Sequence, residues 1–438
     1  MTSAPKPDLH PSTPTLSSRE MSKAFANPEQ RSVVVIGAGP SGAIAAALLK
    51  RKGHDVLILE RQRFPRFSIG ESLLSHCLDF VAEAGMLEAV QAAGFQTKHG
   101  AAFAWGDRYS EFDFRDKFTE GFGSTYQVQR ADFDKLLADQ AELQGVEIRY
   151  EEEIIAADFN QPRPQLQARR SDGSCYSIEA DFVLDASGYG RVLPRLLDLE
   201  APSSFPLRRA VFTHIEDNID DPHFDREKIL ITTHPELRDV WYWTIPFSNG
   251  RCSLGVVASA ERYENRPLDL DACLKEFVGE APNLKRILAN AEWDTPARLI
   301  GGYSANVKTL HGPGFALLGN AAEFLDPVFS SGVTIAMRSA SMAAGVLHRQ
   351  LSGEAVDWQA EFAAPLKRGV DAFRTYVEGW YDCSFQDVIY YPHAQPEIRR
   401  MISSILAGYA WDAENPYVAE PKRRLRVLAK LCAADAPA

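Results

Sequence analysis

Apolar and polar positions follow three different patterns along this chain of 438 residues. The largely apolar stretches 33–36, 55–59 and 181–186 predict buried strands of a parallel sheet. Between 201 and 306, apolar and polar positions alternate and polar turns intervene, which predicts an antiparallel sheet. Beyond 351 the apolar positions recur at helical spacing, in a stripe made of Val370, Phe373, Val377 and Trp380.

Together these patterns predict an α/β fold. We expect a disordered leader at 1–30, rich in Pro, Ser and Thr, followed by a Rossmann-like nucleotide-binding domain at 31–351. Two segments of a substrate-binding antiparallel sheet, at about 76–125 and 201–306, are expected to interrupt that domain. A helical region is predicted for the remaining residues, 352–438.

The first apolar run continues into the spacing G-x-G-x-x-G at Gly37, Gly39 and Gly42. The first glycine permits a tight turn, the second lets a pyrophosphate approach the backbone, and the third lets the helix lie close to the strand. Free N–H groups at the start of that helix suit phosphates. Glu60 ends the next strand, where a carboxylate accepts ribose hydrogen bonds. We therefore predict a dinucleotide site.

Charge and cysteine content narrow the possible functions. A formal net charge of -12 argues against nucleic-acid binding and against general attraction to anionic lipid. The six cysteines include no C-x-x-C pair, so neither a zinc site nor a disulfide framework is indicated. No apolar run suggests a signal peptide or the ~20 residues of a membrane span. We expect a cytoplasmic protein whose natural start is either Met1 or Met21.

Three further features have ordinary explanations when each is taken alone. Lys98 lies between two short apolar segments, where a lysine is usually a solvated surface group. Trp241 and Trp243 face the same side of a predicted strand, as core residues often do. Ser330 or Ser331 could cap the helix that follows, or the same loop could bind an anion through backbone N–H groups.

In combination these features resemble the flavin-dependent halogenases, a branch of the flavoprotein monooxygenases with the p-hydroxybenzoate-hydroxylase-like fold. The resemblance covers residues 32–351. It depends on five motifs in family order, namely the glycine fingerprint, the F-P-R and G-E-S-L-L segment at 64–74, Lys98 after Gly94-Phe95, the W-x-W-x-I-P hexad at 241–246 and the D-P-x-x-S-S-G loop at 326–332.

The resemblance implies an FAD-binding domain of the glutathione-reductase type. The residues it assigns to FAD are Gly37, Gly39, Gly42, Glu60, Arg66, Glu71, Ser72, Arg130, Asp185, Gly319, Asn320, Asp326, Pro327 and Gly332. Reduced FAD (FADH2) and O2 are expected to convert chloride or bromide into hypohalous acid. The halide is expected at Ser330, Ser331 and Gly332, where N–H groups of a helix N-terminus suit a small anion.

The same resemblance assigns three residues to catalysis. Lys98 is expected to receive the hypohalous acid, either by a hydrogen bond or as a haloamine, and to pass the halogen to the substrate. Screening from water would lower the pKa of this lysine and strengthen such a hydrogen bond. Trp241 and Trp243 are expected to keep the organic substrate away from the flavin, which suppresses direct oxygen transfer.

The sequence departs from the family pattern at four positions. Val240 replaces a glycine before the hexad, Ser75 replaces a proline, and Asn320 replaces an aspartate common in carrier-dependent members. Phe329 takes the place of the glutamate found in tryptophan halogenases. That loss favours an electron-rich phenol or pyrrole over free tryptophan as the substrate.

Partners and alternatives follow from what accompanies these motifs. We see no second nucleotide fingerprint, so we predict dependence on a separate NAD(P)H:flavin reductase. The short tail resembles that of members acting on thioesters of an acyl or peptidyl carrier protein, and the basic cluster at 422–430 could contact an acidic carrier. The alternatives are a flavin-dependent monooxygenase or isoprenoid-type reductase without halogenation, and a non-catalytic flavin-binding protein.

Overall fold

The computed structural model describes residues 28–434. Its strands are, in chain order, β1 (Glu29–Ile36), β2 (Val56–Glu60), β3 (Gln96–Lys98), β4 (Gly100–Trp105), β5 (Arg108–Asp113), β6 (Thr125–Gln127), β7 (Glu147–Tyr150), β8 (Glu152–Asp158), β9 (Gln165–Arg170), β10 (Cys175–Asp185), β11 (Glu200–Ala201), β12 (Arg208–Glu216), β13 (Lys228–Thr233), β14 (Trp241–Pro246), β15 (Arg251–Ser259), β16 (Arg298–Gly301), β17 (Asn306–Val307), β18 (His311–Gly312) and β19 (Phe315–Leu317).

The helices of the same residues alternate with these strands and then follow them. They are α1 (Pro40–Arg51), α2 (Cys77–Glu83), α3 (Leu87–Ala92), α4 (Arg130–Leu143), α5 (Val192–Leu196), α6 (Leu270–Gly279), α7 (Pro282–Ile287), α8 (Ser331–Leu351), α9 (Ala364–Tyr381), α10 (Ser384–Ile389), α11 (Pro396–Leu406), α12 (Pro416–Ala419) and α13 (Pro421–Ala434).

The first sheet has a parallel centre in the order β19, β10, β1, β2 and β7, to which β18 and β9 add antiparallel pairs. Both faces of β1 are buried: Val33 and Val35 pack into the main core, while Val34 and Ile36 pack into a second cluster on the other face. An unbroken apolar run suits a strand covered on both sides. The prediction of an α/β fold is confirmed.

The second sheet has the strand order β16, β12, β15, β14, β13, β4 and β5. Its strands pair antiparallel, as the alternating pattern predicted, except that β4 lies parallel to β13. A parallel neighbour was not foreseen, because β4 comes from a much earlier part of the chain. Strands from 76–125 and from 201–306 thus meet in one sheet.

The helices that follow α8 extend the main core. Val370, Phe373, Val377 and Trp380 of α9 are buried, as their spacing predicted, and they share one cluster with Trp241 and Trp243. The C-terminal helices therefore pack directly against the second sheet. The predicted leader lies outside the described residues, except for residues 28–30, of which 29–30 open β1.

Candidate active site

A cavity of about 490 Å³ lies between the two sheets, where the ends of β1 and β2 face β14. The cavity thus lies outside the carboxyl ends of parallel strands, which is where α/β folds bind their ligands. The predicted site residues that line this cavity are Gly37, Gly39, Glu60, Arg66, Glu71, Ser72, Arg130, Trp241, Trp243, Asn320, Pro327, Ser330 and Gly332. The predicted residues that do not line it are Gly42, Lys98, Asp185, Gly319, Asp326 and Ser331.

The glycine turn has the close contacts that its spacing predicts. Gly37 has a φ of +98°, and a Cβ there would lie 2.7 Å from the carbonyl oxygen of Ala186. A Cβ on Gly42 would lie 1.9 Å from the carbonyl oxygen of Gly37, so a side chain here would push α1 away from the turn. Gly39 is the N-cap of α1, and no side chain caps that helix. The first-turn N–H groups therefore remain available to a phosphate.

Glu60 lies at the end of β2 and is buried against this turn. Its Oε2 accepts a hydrogen bond from the Ala38 N–H at 2.9 Å, and its Oε1 accepts one from the Gln62 N–H at 3.0 Å. Each carboxylate oxygen has a second lone pair. Glu60 can therefore fix the turn and still accept hydrogen bonds from a ribose in the cavity.

One carboxylate, Asp134 of α4, holds the two arginines of the cavity. It accepts hydrogen bonds from Arg66 Nη1 at 2.7 Å, from Arg130 Nε at 2.7 Å and from Arg130 Nη2 at 2.9 Å. Arg66 Nη2 lies 3.5 Å from where a Cβ of Gly39 would stand, so this guanidinium covers the glycine turn. Its position suits a pyrophosphate. The sequence interpretation missed Asp134, whose i,i+4 spacing from Arg130 was the available signal.

Asp185 and Gly319, both assigned to FAD by the resemblance, support turns beside the cavity. The Oδ1 of Asp185 accepts a hydrogen bond from Ser187 N–H at 2.9 Å, and its Oδ2 accepts one from Leu193 N–H at 2.7 Å. A Cβ on Gly319 would lie 2.7 Å from the Cβ of Ala336 in α8, which explains the glycine. Both residues shape the edge of the cavity from behind its wall.

Trp241 and Trp243 form an apolar wall at the opposite end, with ring centroids 6.0 Å apart. Trp243 Nε1 donates to Ser253 Oγ at 3.0 Å. Gly255 lies opposite Trp243 in β15, and a Cβ there would stand 2.2 Å from the indole, so glycine gives the ring its space. Val240, the departure before the hexad, is fully buried.

Tyr381, at the end of α9, joins this wall to the 326–332 loop. Its OH accepts a hydrogen bond from Trp241 Nε1 at 2.9 Å and donates one to Asp326 Oδ2 at 2.9 Å. Burial raises the pKa of Asp326 to about 6, although hydrogen bonds from Val328 and Tyr381 oppose that shift. The sequence interpretation missed Tyr381, since only the fold brings α9 to β14.

The serine loop leaves a helix N-terminus open. Ser330 is the N-cap of α8 with a φ of +54°, and no side chain caps this helix. Of the two alternatives from the sequence, Ser330 does stand at the N-cap, but its side chain makes no capping hydrogen bond. Ser330 and Gly332 line the cavity, whereas Ser331 is buried.

Lys98 is 1% exposed, so the ordinary expectation of a solvated lysine is wrong. Its Nζ donates to the Leu73 carbonyl at 2.8 Å and lies 5.3 Å from the centre of the Phe114 ring. Burial lowers the pKa of Lys98 to about 7. Leu73 follows Ser72, which lines the cavity, so the lysine lies just behind the cavity wall.

The polar atoms of the cavity wall fit an FAD. Glu71 Oε2 and Ser72 Oγ are buried and have no hydrogen-bond partner within residues 28–434, although Glu71 Oε1 lies 2.7 Å from His214 Nε2. Buried polar atoms without partners are rare in proteins, and a bound ligand resolves them. With the glycine turn, Glu60 and Arg66, they define a cavity for a large polar dinucleotide. The fold and site thus describe a Rossmann-type flavoprotein.

Comparison with known proteins gives the family. Residues 30–362 match the model of the FAD binding domain family. The chain is 30% identical over 335 residues to a 1H-pyrrole-2-carbonyl-[peptidyl-carrier protein] chlorinase of Pseudomonas fluorescens, with 72% of this chain and 74% of that protein covered. It is also 30% identical to a tryptophan 2-halogenase of Chondromyces crocatus, of whose length it spans 63%. The chain belongs to the flavin-dependent halogenases of the FAD binding domain family.

Two solved structures show how far the likeness extends. A flavoprotein/dehydrogenase from Cytophaga hutchinsonii has 41% identity and a TM-score of 0.90, with 93% of this chain and 99% of that chain covered. The flavin-dependent brominase Bmp2 has 25% identity and a TM-score of 0.80, with 93% and 100% covered. The fold therefore matches from the glycine turn to the C-terminal helices.

The helices and the metal-ligating side chains of residues 28–434 bear on two other kinds of site. None of the helices there has the length and apolar character needed to cross a membrane. In the same part of the chain, His, Cys, Asp and Glu side chains form no cluster of three or more that could hold a metal ion.

Proposed function

We propose that this protein uses FADH2 and O2 to form hypohalous acid and transfers chlorine or bromine through Lys98 to an electron-rich phenol or pyrrole. The observation that carries the proposal is the burial of Lys98 behind the cavity wall, with a pKa of about 7. Burying a lysine amine is costly, so a structural role alone is a weak reason to retain one.

FAD would supply the activation of O2, and the residues of the chain would control the halogen. In the step assigned to Lys98, the neutral amine takes the halogen of hypohalous acid and gives up one hydrogen, and water leaves. The aromatic carbon then takes the halogen, and its proton returns to the nitrogen, which restores the amine. A pKa of about 7 keeps a large neutral fraction near neutral pH, as both steps require.

The halide would bind at the N-terminus of α8. The N–H groups of its first turn receive no side-chain cap, and Ser330 and Gly332 line the cavity. A small anion suits such a position because the N–H groups and the helix dipole both favour negative charge.

The start of α8 also reaches toward Lys98. Thr334 Oγ1, in the first turn of this helix, lies 3.1 Å from Cys77 Sγ. The Cys77 side chain in turn interacts electrostatically with Lys98. This contact brings the start of α8 and Lys98 into the same part of the core, which supports a halide loop close to the lysine.

Two observations bear on the substrate, and the second supports an aryl thioester. Phe329 packs against Trp380 and Phe385, with ring centroids 5.8 and 5.3 Å apart, so no acid stands at this position to activate an indole. The Pseudomonas fluorescens relative is named for a carrier-bound pyrrole. By extension from that relative, a carrier protein is the partner proposed for this chain.

The basic helix α13 supports an acidic carrier. Its sequence PKRRLRVLAKLCAA contains five basic residues and no acidic one. Leu425 of α13 contacts Gly379 of α9, two residues before Tyr381, which bonds to Trp241. A carrier on the outer face of α13 would thus lie behind the tryptophan wall. Electrostatic complementarity of this kind mainly raises association rates.

To test this, the protein is incubated with FAD, a separate flavin reductase, NADH, O2 and bromide or chloride. Phenol and pyrrole acids are supplied as substrates, both free and as carrier thioesters. Mass spectrometry then reads the halogen isotope pattern of the products. We expect halogenation that requires the reductase and is faster on the carrier. Oxygenated products without halogen would overturn the proposal, and rapid NADH oxidation by the pure protein would remove the reductase as a partner.

A second candidate is a flavoprotein dehydrogenase, and one observation favours it: the structure with 41% identity is named a flavoprotein/dehydrogenase. Such a reaction passes hydride or electrons to the flavin and needs no halide. The same assay distinguishes the two, because a dehydrogenase would reduce its FAD with an organic donor under anaerobic conditions and would leave bromide unused.

A further inference from the structure

A second buried cation lies behind the tryptophan wall, and no residue of the proposed chemistry uses it. Arg208 opens β12 and is 8% exposed. Its Nε and Nη1 are buried, and neither has a hydrogen-bond acceptor among residues 28–434. Buried arginines are almost always paired with an anion or fully hydrogen-bonded.

The surroundings of Arg208 are rich in donors. Its guanidinium carbon lies 3.3 Å from the centre of the Tyr381 ring. Tyr303 is 6% exposed, and its OH also lacks a partner within the described residues. Asp326 is the nearby acid and interacts electrostatically with Arg208, but no hydrogen bond joins the two, and its oxygens accept hydrogen bonds from Val328 N–H and Tyr381 OH.

One side chain, that of Tyr381, separates Arg208 from the cavity wall. Tyr381, which covers the guanidinium, accepts the hydrogen bond of Trp241 Nε1, and Trp241 lines the cavity. Tyr303 packs at 5.8 Å on Phe324, which also lines it. Two N–H groups of Arg208 and the O–H of Tyr303 are therefore buried donors without a partner in residues 28–434, and both residues lie near Asp326, behind the cavity wall.

We propose that Arg208 and Tyr303 form an anion-binding subsite that takes one small monovalent anion, either a halide ion or the carboxylate of an aryl acid that is free of the carrier. A guanidinium donates two parallel hydrogen bonds to a carboxylate and also suits a halide. Tyr303 would add a third donor. The inference rests on the proposed function only for the choice of these anions.

The test measures binding to the FAD-loaded, oxidised protein without reductase, so it does not depend on turnover. Bromide and pyrrole-2-carboxylate are titrated separately by calorimetry into the wild type, Arg208→Met and Tyr303→Phe. Arg208→Met should weaken the binding of one of the two anions by tenfold or more, and Tyr303→Phe should weaken the same anion by about threefold to tenfold. The anion whose binding weakens in both variants is the ligand of the subsite.

Arg266→Met is the matched control. Arg266 also lies over an aromatic ring, at 4.0 Å from Phe277, but Glu276 and Glu280 already pair with it. Its replacement should leave both titrations unchanged. Circular dichroism and FAD content establish that each variant is folded. If Arg208→Met does not fold, Tyr303→Phe still tests the subsite.

Unchanged binding of both anions in Arg208→Met, or in Tyr303→Phe where Arg208→Met does not fold, would overturn the subsite. Arg208-dependent binding in a protein that never halogenates would instead retain the subsite and reject the proposed function. As a second readout, anomalous diffraction from bromide-soaked crystals should place bromide at Arg208 if the halide is the ligand.

Discussion

The two ends of the cavity differ in how their buried charges are satisfied. At the glycine turn, Arg66 and Arg130 share Asp134, and Glu60 accepts two backbone N–H groups. Behind the tryptophan wall, Arg208 lacks an acceptor for two of its N–H groups within residues 28–434. The amine of Lys98, behind the wall at Ser72, is also buried and has the Leu73 carbonyl as its acceptor. At the first end the arginines and Glu60 are paired within the fold, whereas at the second Arg208 keeps two N–H groups without a partner in the described residues.

Lys98→Met tests the buried amine through stability. The unfolded chain keeps the usual lysine pKa of 10.5, whereas the folded chain has about 7, so the wild type loses stability as pH falls from 10.5 to 7. Below 7 the folded protein carries the full cost of a buried ammonium. Lys98→Met should therefore raise the free energy of unfolding by on the order of 4 kcal/mol near pH 6, and by little near pH 10. Urea unfolding at both pH values measures this.

Lys228→Met is the control for that prediction. Burial alone would lower the pKa of Lys228, but hydrogen bonds to Asp225 and Glu111 raise it. Its replacement should lower stability at neutral pH. A pH-independent effect of Lys98→Met would contradict a desolvated amine at this position.

Asp134→Asn tests the cofactor end. It leaves two arginines without their shared carboxylate, which should cost about 3 kcal/mol of unfolding free energy. FAD affinity should fall about tenfold, because Arg66 is no longer held over the glycine turn. Fluorescence titration of FAD and urea unfolding measure the two effects.

Asp139→Asn provides the matched comparison on the same helix. Asp139 pairs with Lys135 at the surface, where such pairs contribute less than about 1 kcal/mol. If both substitutions weaken FAD binding equally, the shared carboxylate has no special role and the contrast between the two ends fails.

Tyr381→Phe should have the smallest effect. It removes the hydrogen bonds to Trp241 and Asp326, at a cost of about 1 kcal/mol. The pKa of Asp326, already raised to about 6 by burial, should rise further, so the lost stability should be greater at pH 8 than at pH 5. Tyr376→Phe, whose OH donates to a backbone carbonyl, should show a loss that does not vary over this range.

The local sequence pattern was sufficient to predict the cofactor end of the cavity. The glycine turn, Glu60 and the buried strand 33–36 are contiguous or nearly so, and their chemistry follows from period and spacing. The burial of Lys98 did not follow from its flanking residues, because packing across the fold decides it. Tyr381 and Arg208 were beyond reach for the same reason: Trp241 and Tyr381 are 140 positions apart.

The central claim is that Lys98 transfers the halogen. The most direct measurement compares halogenated product formed by wild type and Lys98→Ala, loaded equally with FAD and given the same reductase, O2, bromide and aryl thioester. The account predicts a loss of about a thousandfold or more in Lys98→Ala, while O2 consumption and FAD content remain unchanged. Halogenation by Lys98→Ala at the wild-type rate would contradict it.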